Sequence, residues 1–333
     1  MAGLNANALT LADWAKRLDP DGKVPQIVEM LAQSNEIIQD MVFVESNMPM
    51  SHRTTIRTGL PTVAWRLINQ GVQPSKSTTA QADESIGIME AWSEVDIELA
   101  KLNGNTAAFR LSEAAAFIEA MNQEFASTIF YGNSSLAPEE FNGLSVRYSA
   151  TSAGNGQNIV KAGGNDTDNS SIWLICWGQN TVHGIFPKGS KAGLQHEDLG
   201  EVTVETTAGI AGSRMRAFQD LFTMRAGLSL KDWRYAVRIP NIDISALVSK
   251  TSAADLIELM IKAMNRIPNL QAGKCAFYMN RTTKQCLDIQ RRDDVISGGG
   301  LTYEMVDGKF VPSFRGIPIR TCDALTENEA LVS

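Results

Sequence analysis

Residues 51–80, SHRTTIRTGLPTVAWRLINQGVQPSKSTTA, carry the basic side chains Arg53, Arg57, Arg66 and Lys76, no acid, and the chain breakers Gly59, Pro61, Gly71 and Pro74. A segment interrupted this often does not bury itself. The sign of charge reverses directly after it, since Asp83, Glu84, Glu90, Glu94, Asp96 and Glu98 face only Lys101 between residues 83 and 101. Val95, Ile97 and Leu99 alternate with Glu94, Asp96 and Glu98, which predicts a strand with one apolar and one acidic face. A basic extended ribbon followed by an acidic strand suits a chain that lies on a copy of itself. It points to an assembling structural protein rather than a catalyst.

Bulk properties agree. At 333 residues the chain is long enough for two or three domains, and a compact fold of this size buries roughly 75% of its unfolded surface. The net charge of −7 argues against a dedicated nucleic-acid binder, which needs a dominant basic face. Cys176, Cys275, Cys286 and Cys322 are widely spaced without a C-x-x-C pair, so they are expected to be reduced thiols made in a cytoplasm. No apolar run approaches a membrane span, and MAGLNANALTLADWAKRL at the start lacks a signal peptide's basic and apolar regions. A soluble protein that is not exported and makes no membrane contact is expected.

Along the chain, Asp19-Pro20-Asp21-Gly22 reads as a turn, and Ile27, Met30, Leu31, Ile37, Ile38 and Met41 suggest an amphipathic helix in an acidic arm. Residues 112–131, SEAAAFIEAMNQEFASTIFY, predict a long helix with Ser112 as N-cap, ended by Gly132-Asn133. The polar stretch 149–171 reads as a mobile loop. Strands are expected at Ile172–Trp177, around Val202–Val204, and from Met215 to Ile242, with turns at Gly227 and Lys231-Asp232. A second helix is predicted from about Ser252 to Ile267, capped by Thr251 or Ser252 and stopped by Pro268. A strand at Lys274–Met279 then leads into a helix capped by Asn280, and Gly298-Gly299-Gly300 breaks the chain.

This order of arm, basic loop, acidic strand and long helix, followed by FYGNSSLAPEEFNGL (130–144), resembles the major capsid proteins of tailed bacteriophages with the Hong Kong 97-type fold. Gly132, Pro138, Gly143 and Leu144 match the turn that ends that family's spine helix, and Gly316, Pro318 and Asp323 in FRGIPIRTCDAL (314–325) match its strand-turn ending. RAGLSLKDWRYAVRIPNID (225–243) is similar to stretches in related podovirus capsid proteins. The resemblance implies an α+β fold with an N-terminal arm (1–50), an extended loop (51–103), a peripheral domain with spine helix and long β-hairpin (104–245), and an axial domain (246–333). It also implies a subunit that forms pentamers and hexamers of an icosahedral shell around packaged double-stranded DNA. That shell would assemble in the host bacterial cytoplasm, with a portal protein as partner and scaffolding and cement proteins as further candidates. An encapsulin-like cargo shell is the alternative with the same fold, and an unrecognised enzyme is a third reading.

Candidate intersubunit contacts are Arg53, Arg57, Trp65, Arg66 and Lys76 on the ribbon and Glu94, Asp96 and Glu98 on the acidic strand. Trp65 stands among polar residues, and the sequence leaves it open between an anchor on a neighbour and burial within its own subunit. Lys76 reads as a solvated lysine rather than one member of a covalent cross-link. His52, His183 and His196 lack metal-binding spacing, no G-x-S-x-G elbow occurs, and Asp19–Gly22 puts its glycine too early for a calcium loop. No catalytic residue, cofactor site or metal site is therefore expected. Gly163–Asp168 has the composition of a calcium loop but occurs once, and reads as solvated. Gly298–Gly300 lacks the lysine of a phosphate cradle. Arg291-Arg292 are offset by Asp293-Asp294, so non-specific DNA contact is the most that they imply.

Overall fold

The computed structural model describes residues 33–102, 106–206, 213–293, 301–306 and 309–333. The turn at Asp19–Gly22, the first part of the predicted helix from Ile27, the Gly298–Gly300 break and the side chains of Arg291 and Arg292 lie outside what it describes. In chain order the helices are α1 (Ile37–Asp40), α2 (Ile97–Lys101), α3 (Thr106–Tyr131), α4 (Leu144–Arg147), α5 (Ile244–Ser249), α6 (Leu256–Met264) and α7 (Arg281–Asp293). The strands are β1 (Phe43–Glu45), β2 (Ser51–Gly59), β3 (Thr78–Ser85), β4 (Gly87–Asp96), β5 (Asn169–Trp177), β6 (Val182–Phe186), β7 (Leu194–Thr206), β8 (Ser213–Leu230), β9 (Ala236–Asp243), β10 (Lys274–Met279), β11 (Leu301–Val306), β12 (Lys309–Phe314) and β13 (Ile317–Thr321).

These elements form two compact units that interleave along the chain. Of the described residues, the first comprises those within 33–35, 88–127 and 193–225, and the second those within 36–87, 128–192 and 226–333. The stretch 104–245 thus contributes to both.

In the first unit, β7 and β8 form a long antiparallel hairpin paired from Leu194↔Met224 to Thr206↔Ser213. Its register shifts between Asp198 and Gly200. There Gly200 takes φ +70° and donates its N–H to Asp198 Oδ1 at 2.8 Å, the geometry of a bulge that only glycine adopts freely. Phe222 stacks on Phe117 of α3 at 6.0 Å, and Val95, Ala100 and Phe109 pack with Phe218. Arg110 ties α3 to this hairpin through Asp198 at 2.6 Å and Asp220 at 2.8 Å.

The second unit is built on β5, all of whose residues are buried. It lies between β10 and β9, antiparallel to both, and β10 continues through the parallel β13 to β12 and β11. Both faces of β5 are covered, which is why NSSIWLICW reads as a continuous run rather than an alternation. Ile172, Leu174 and Cys176 face a core made with Leu247 of α5, Leu256, Met260 and Ala263 of α6, and Leu287 of α7. On the opposite face Trp173 meets Phe130 and Tyr148 with ring centres 6.1 and 5.7 Å apart, and Trp177 Nε1 donates to Tyr278 Oη at 2.8 Å. A buried ion pair, Arg238–Glu329 at 2.7 Å, closes this side, with Tyr131 Oη donating to Glu329 at 2.5 Å.

The fold departs from the sequence reading at several points. The acidic strand predicted to run through Leu99 ends at Asp96, because that side chain accepts the Glu98 N–H at 2.8 Å and starts α2. The spine helix begins at Thr106, and Ser112 lies inside it with its hydroxyl bonded back to the Phe109 carbonyl at 2.8 Å. The helix predicted from Ser252 to Ile267 is shorter, Leu256–Met264, and is capped neither by Thr251 nor by Ser252. Lys250 and Ser252 adopt φ of +58° and +57°, ending α5, and Asp255 caps α6 by accepting the Glu258 N–H at 2.9 Å. Gly227 is not a turn but a residue inside β8. Part of 149–171 is anchored rather than mobile, since buried Asn158 donates to the Ala236 carbonyl at 3.0 Å and Val160 is buried beside it. Cys176 and Cys275 are not separate thiols. They face each other in the β5–β10 register, 99 residues apart in sequence, and are joined by a disulfide.

Candidate assembly surface

The ribbon of 51–80 is the outer part of a two-stranded hairpin. β2 and β3 pair antiparallel from Ser51↔Ser85 to Gly59↔Thr78, which leaves residues 60–77 as a long connection at the tip. A two-stranded hairpin is marginal by itself, so its root has to be held. Glu84, buried, accepts from both Nη atoms of Arg147, each at 2.5 Å, and Arg147 Nη2 also donates to the Asn142 carbonyl at 3.2 Å. Farther out Arg53 and Asp83 are register partners and form a two-pronged ion pair at 2.6 and 2.7 Å. Hydrogen bonding from the Arg53 guanidinium holds the Asp83 carboxyl below the usual carboxylate range. Asn47 clamps the outer edge of β2, accepting the Arg53 N–H and donating to its carbonyl, both at 2.8 Å.

Beyond these fastenings the connection has little to hold it. Ser75 donates to the Thr62 carbonyl at 2.7 Å, Arg66 donates to the Gln70 carbonyl at 3.3 Å, and Asn69 turns the chain at φ +67°. Every residue from Leu60 to Ala80 is exposed. Leu60, Val63, Trp65, Leu67, Ile68 and Val72 are among them, with Trp65 at 104% of its reference exposure and Ile68 at 91%. Trp65 is therefore not buried in its own subunit.

The remaining candidate residues separate by what they already do at home. Arg53 is committed to Asp83, while Arg57, Arg66 and Lys76 make no ion pair among the described residues. Glu94 accepts from Gln219 Nε2 at 2.8 Å, Asp96 caps α2, and Glu98 is exposed. The ribbon's basic groups are evident from charge alone, whereas its aliphatic ones are not. The signal was present as apolar residues scattered without helical or strand period between chain breakers.

The turn after the spine helix explains the glycines that carried the resemblance. A Cβ on Gly132 would lie 2.5 Å from the Phe141 carbonyl oxygen, and one on Gly143 would lie 2.7 Å from that of Thr128. The two main chains are bonded there, Gly143 N–H to the Gly132 carbonyl at 2.8 Å, so neither position admits a side chain without displacement.

A sequence model of the family described as major capsid protein GP7 matches residues 19–333. A search of the curated proteins finds no match. Among solved structures, one of bacteriophage Epsilon15 is 32% identical, with full coverage of both chains and a TM-score of 0.78. The capsid of a native GTA particle is 10% identical over 71% of this chain and 99% of that one, with a TM-score of 0.45. The SrpI encapsulin of Synechococcus elongatus PCC 7942 is 12% identical over 70% of this chain and 96% of that one, with a TM-score of 0.42. With a family match across nearly the whole chain, the resemblance read from Gly132, Pro138, Gly143 and Leu144 holds, and so does the mixed helix-and-sheet Hong Kong 97-type fold that it implied. This chain belongs to the GP7 family of major capsid proteins, the shell-forming subunits of the icosahedral heads of tailed bacteriophages.

Proposed function

We propose that the subunit assembles into pentamers and hexamers around packaged double-stranded DNA, with residues 60–77 of each copy lying over a neighbouring copy. The observation that carries this reading is the exposure of Leu60, Val63, Trp65, Leu67, Ile68 and Val72 on one connection. Burying a single large apolar side chain contributes about 1.5–3 kcal/mol, whereas an exposed ion pair contributes about 0–1 kcal/mol. Apolar contacts therefore provide most of the interface free energy, and Arg57, Arg66 and Lys76 set register against acidic groups such as Glu94 and Glu98. Arg53 and Asp96, occupied within the subunit, act by shaping the hairpin and the β4–α2 junction.

In this reading the hairpin 51–85 is the extended loop. The first compact unit, with most of the spine helix, takes the peripheral role, and the second takes the axial role. Assembly takes place in the host bacterial cytoplasm, with a portal protein and, where present, scaffolding and cement proteins as partners. DNA contact is non-specific, as the acidic balance of the chain requires. Sedimentation and negative-stain electron microscopy of the expressed chain test the proposal. Shells, rings or tubes from the native sequence, and none from a variant with Trp65, Leu67 and Ile68 replaced by serine, are expected. A serine variant that assembles like the native chain overturns it.

A further inference from the structure

Residues 163–169, GGNDTDN, lead into β5, and the fold brings the start of α5 beside them. One carboxylate oxygen from each of Asp166, Asp168 and Asp243 lies within 4.8 Å of the others. Each side chain is held by a bond to the main chain. Asp166 Oδ1 accepts the Thr167 N–H, Asp168 Oδ2 the Ser245 N–H, and Asp243 Oδ1 the Ala246 N–H, all at 2.8 Å. These bonds use one oxygen of each carboxylate and fix where the other points. The cleft beside them is lined in part by Gly163, Gly164, Asn165, Asp166 and Asp243, and none of its lining residues is basic.

A separate feature of the same place calls for a ligand. Asn169 is completely buried, and its Oδ1 has no hydrogen-bond partner, although its Nδ2 donates to the Asp166 carbonyl. Asn169 and Asp243 are register partners across β5 and β9, which puts their side chains on the same face. The point that a Cβ on Gly164 would occupy is 2.9 Å from Asn169 Oδ1 and 3.0 Å from Asp243 Cβ, so the amide oxygen lies beside Gly164 and Asp243, both of which line the cleft. Asp168 Oδ1 is likewise buried and unpartnered. A buried polar oxygen left unpaired costs about 1–3 kcal/mol, and a cation satisfies several such oxygens at once.

Every available donor is oxygen, three from carboxylates and one from an amide, with no histidine or cysteine in the group. That donor set suits a hard divalent cation rather than zinc or copper. Magnesium keeps most of its water and is held by one or two carboxylates, whereas calcium accepts a larger and less regular set of protein oxygens. We propose that Asp166, Asp168, Asp243 and the Asn169 side-chain oxygen form a binding site for one calcium ion at the entry to β5. Occupancy ties the 163–168 loop, which its sequence marks as solvated, to the β9–α5 junction. The site does not depend on how the hairpin meets a neighbouring copy.

The test is equilibrium dialysis of the full chain, stripped with EDTA, against calcium chloride and, in parallel, magnesium chloride. One calcium per chain is expected, with a Kd in the range of about 10⁻⁵ to 10⁻³ M. Asp166→Asn and Asp168→Asn keep an oxygen for the main-chain bonds and remove one charge each, and calcium binding should weaken about tenfold or more. Asp166 is exposed, so its variant folds regardless of the metal. In EDTA its melting temperature should equal or exceed that of the native chain because a repulsion has been removed, and the stabilisation by added calcium should be smaller. No uptake at about 10 mM calcium, native-like binding by Asp166→Asn, or equal uptake of magnesium each overturns the proposal.

Discussion

The Glu84 carboxylate and the Arg147 guanidinium meet in parallel, Oε1 with Nη1 and Oε2 with Nη2, each at 2.5 Å, and so fasten the root of the extended hairpin, on β3, to α4. Both groups are largely removed from water, with side-chain exposures of 11% and 18%. Losing one partner leaves the other desolvated and uncompensated. Arg147→Ala should therefore lower the unfolding free energy by about 3 kcal/mol, and Glu84→Gln combined with Arg147→Met should recover part of that loss. Denaturant titrations of the three variants check both statements. A loss below 1 kcal/mol in Arg147→Ala would mean that the hairpin root is held by other contacts.

Trp65 is exposed in the subunit, so its replacement has different consequences for folding and for assembly. Trp65→Ser should leave the unfolding free energy within about 0.5 kcal/mol of native, as for other surface changes. It should raise the subunit concentration needed for assembly by about tenfold or more, the equivalent of one large apolar anchor. Arg66→Glu should shift that concentration less, and its effect should fade in high salt while that of Trp65→Ser does not. Light scattering against subunit concentration at two salt levels distinguishes the two contributions.

Gly132 and Gly143 stand where main chains touch. Alanine at either has to displace a carbonyl oxygen, Phe141 at 2.5 Å in the first case and Thr128 at 2.7 Å in the second. Each substitution should cost about 1–3 kcal/mol, the range for overpacking a rigid site. Gly71, whose added Cβ meets nothing within 4 Å, is the control and should be indifferent. Thermal melts of the three alanine variants provide the comparison.

What could be read from the sequence follows the range of the interactions responsible. Asn280, which accepts the Thr282 N–H at 3.1 Å, and the strands at 172–177 and 274–279 depend on neighbours in sequence and were legible. The strand end at Asp96 turned on whether its side chain caps a helix or continues the acidic face, and the late cap at Asp255 on whether Thr251, Ser252 or Asp255 takes the capping bond, and periodicity does not resolve either competition. The Cys176–Cys275 pairing, the Glu84–Arg147 fastening and the meeting of Asp166 with Asp243 join residues far apart in the chain. They follow from strand order, which the sequence pattern does not contain. The apolar tip of the hairpin was visible as residues but not as a surface, because exposure at Trp65 is a property of the fold.

His183 gives the chain a defined response to acid. It is fully buried on β6, its ring meets that of His52 edge-on at 5.8 Å, and burial, assisted by the positive charge of Lys231, pushes its pKa down to about 4. Burial lowers the pKa of His52 as well. In the unfolded chain both imidazoles titrate near 6.5. Below that pH the unfolded state binds protons that the folded state refuses, so stability falls as pH drops from about 6.5 and the His183 contribution is exhausted near pH 4. A depression of this size is worth on the order of 3 kcal/mol across the window. Carboxylates held low by ion pairs, such as Asp83, add their own loss only at still more acid pH. His183→Gln should therefore flatten the pH dependence of the unfolding free energy between pH 6.5 and 4 while leaving the steeper loss at lower pH in place. Denaturant titrations at intervals across this range measure the slope directly. An unchanged slope in the variant would show that the imidazole finds water or a proton acceptor in the folded state, against its burial between β6 and the hairpin root.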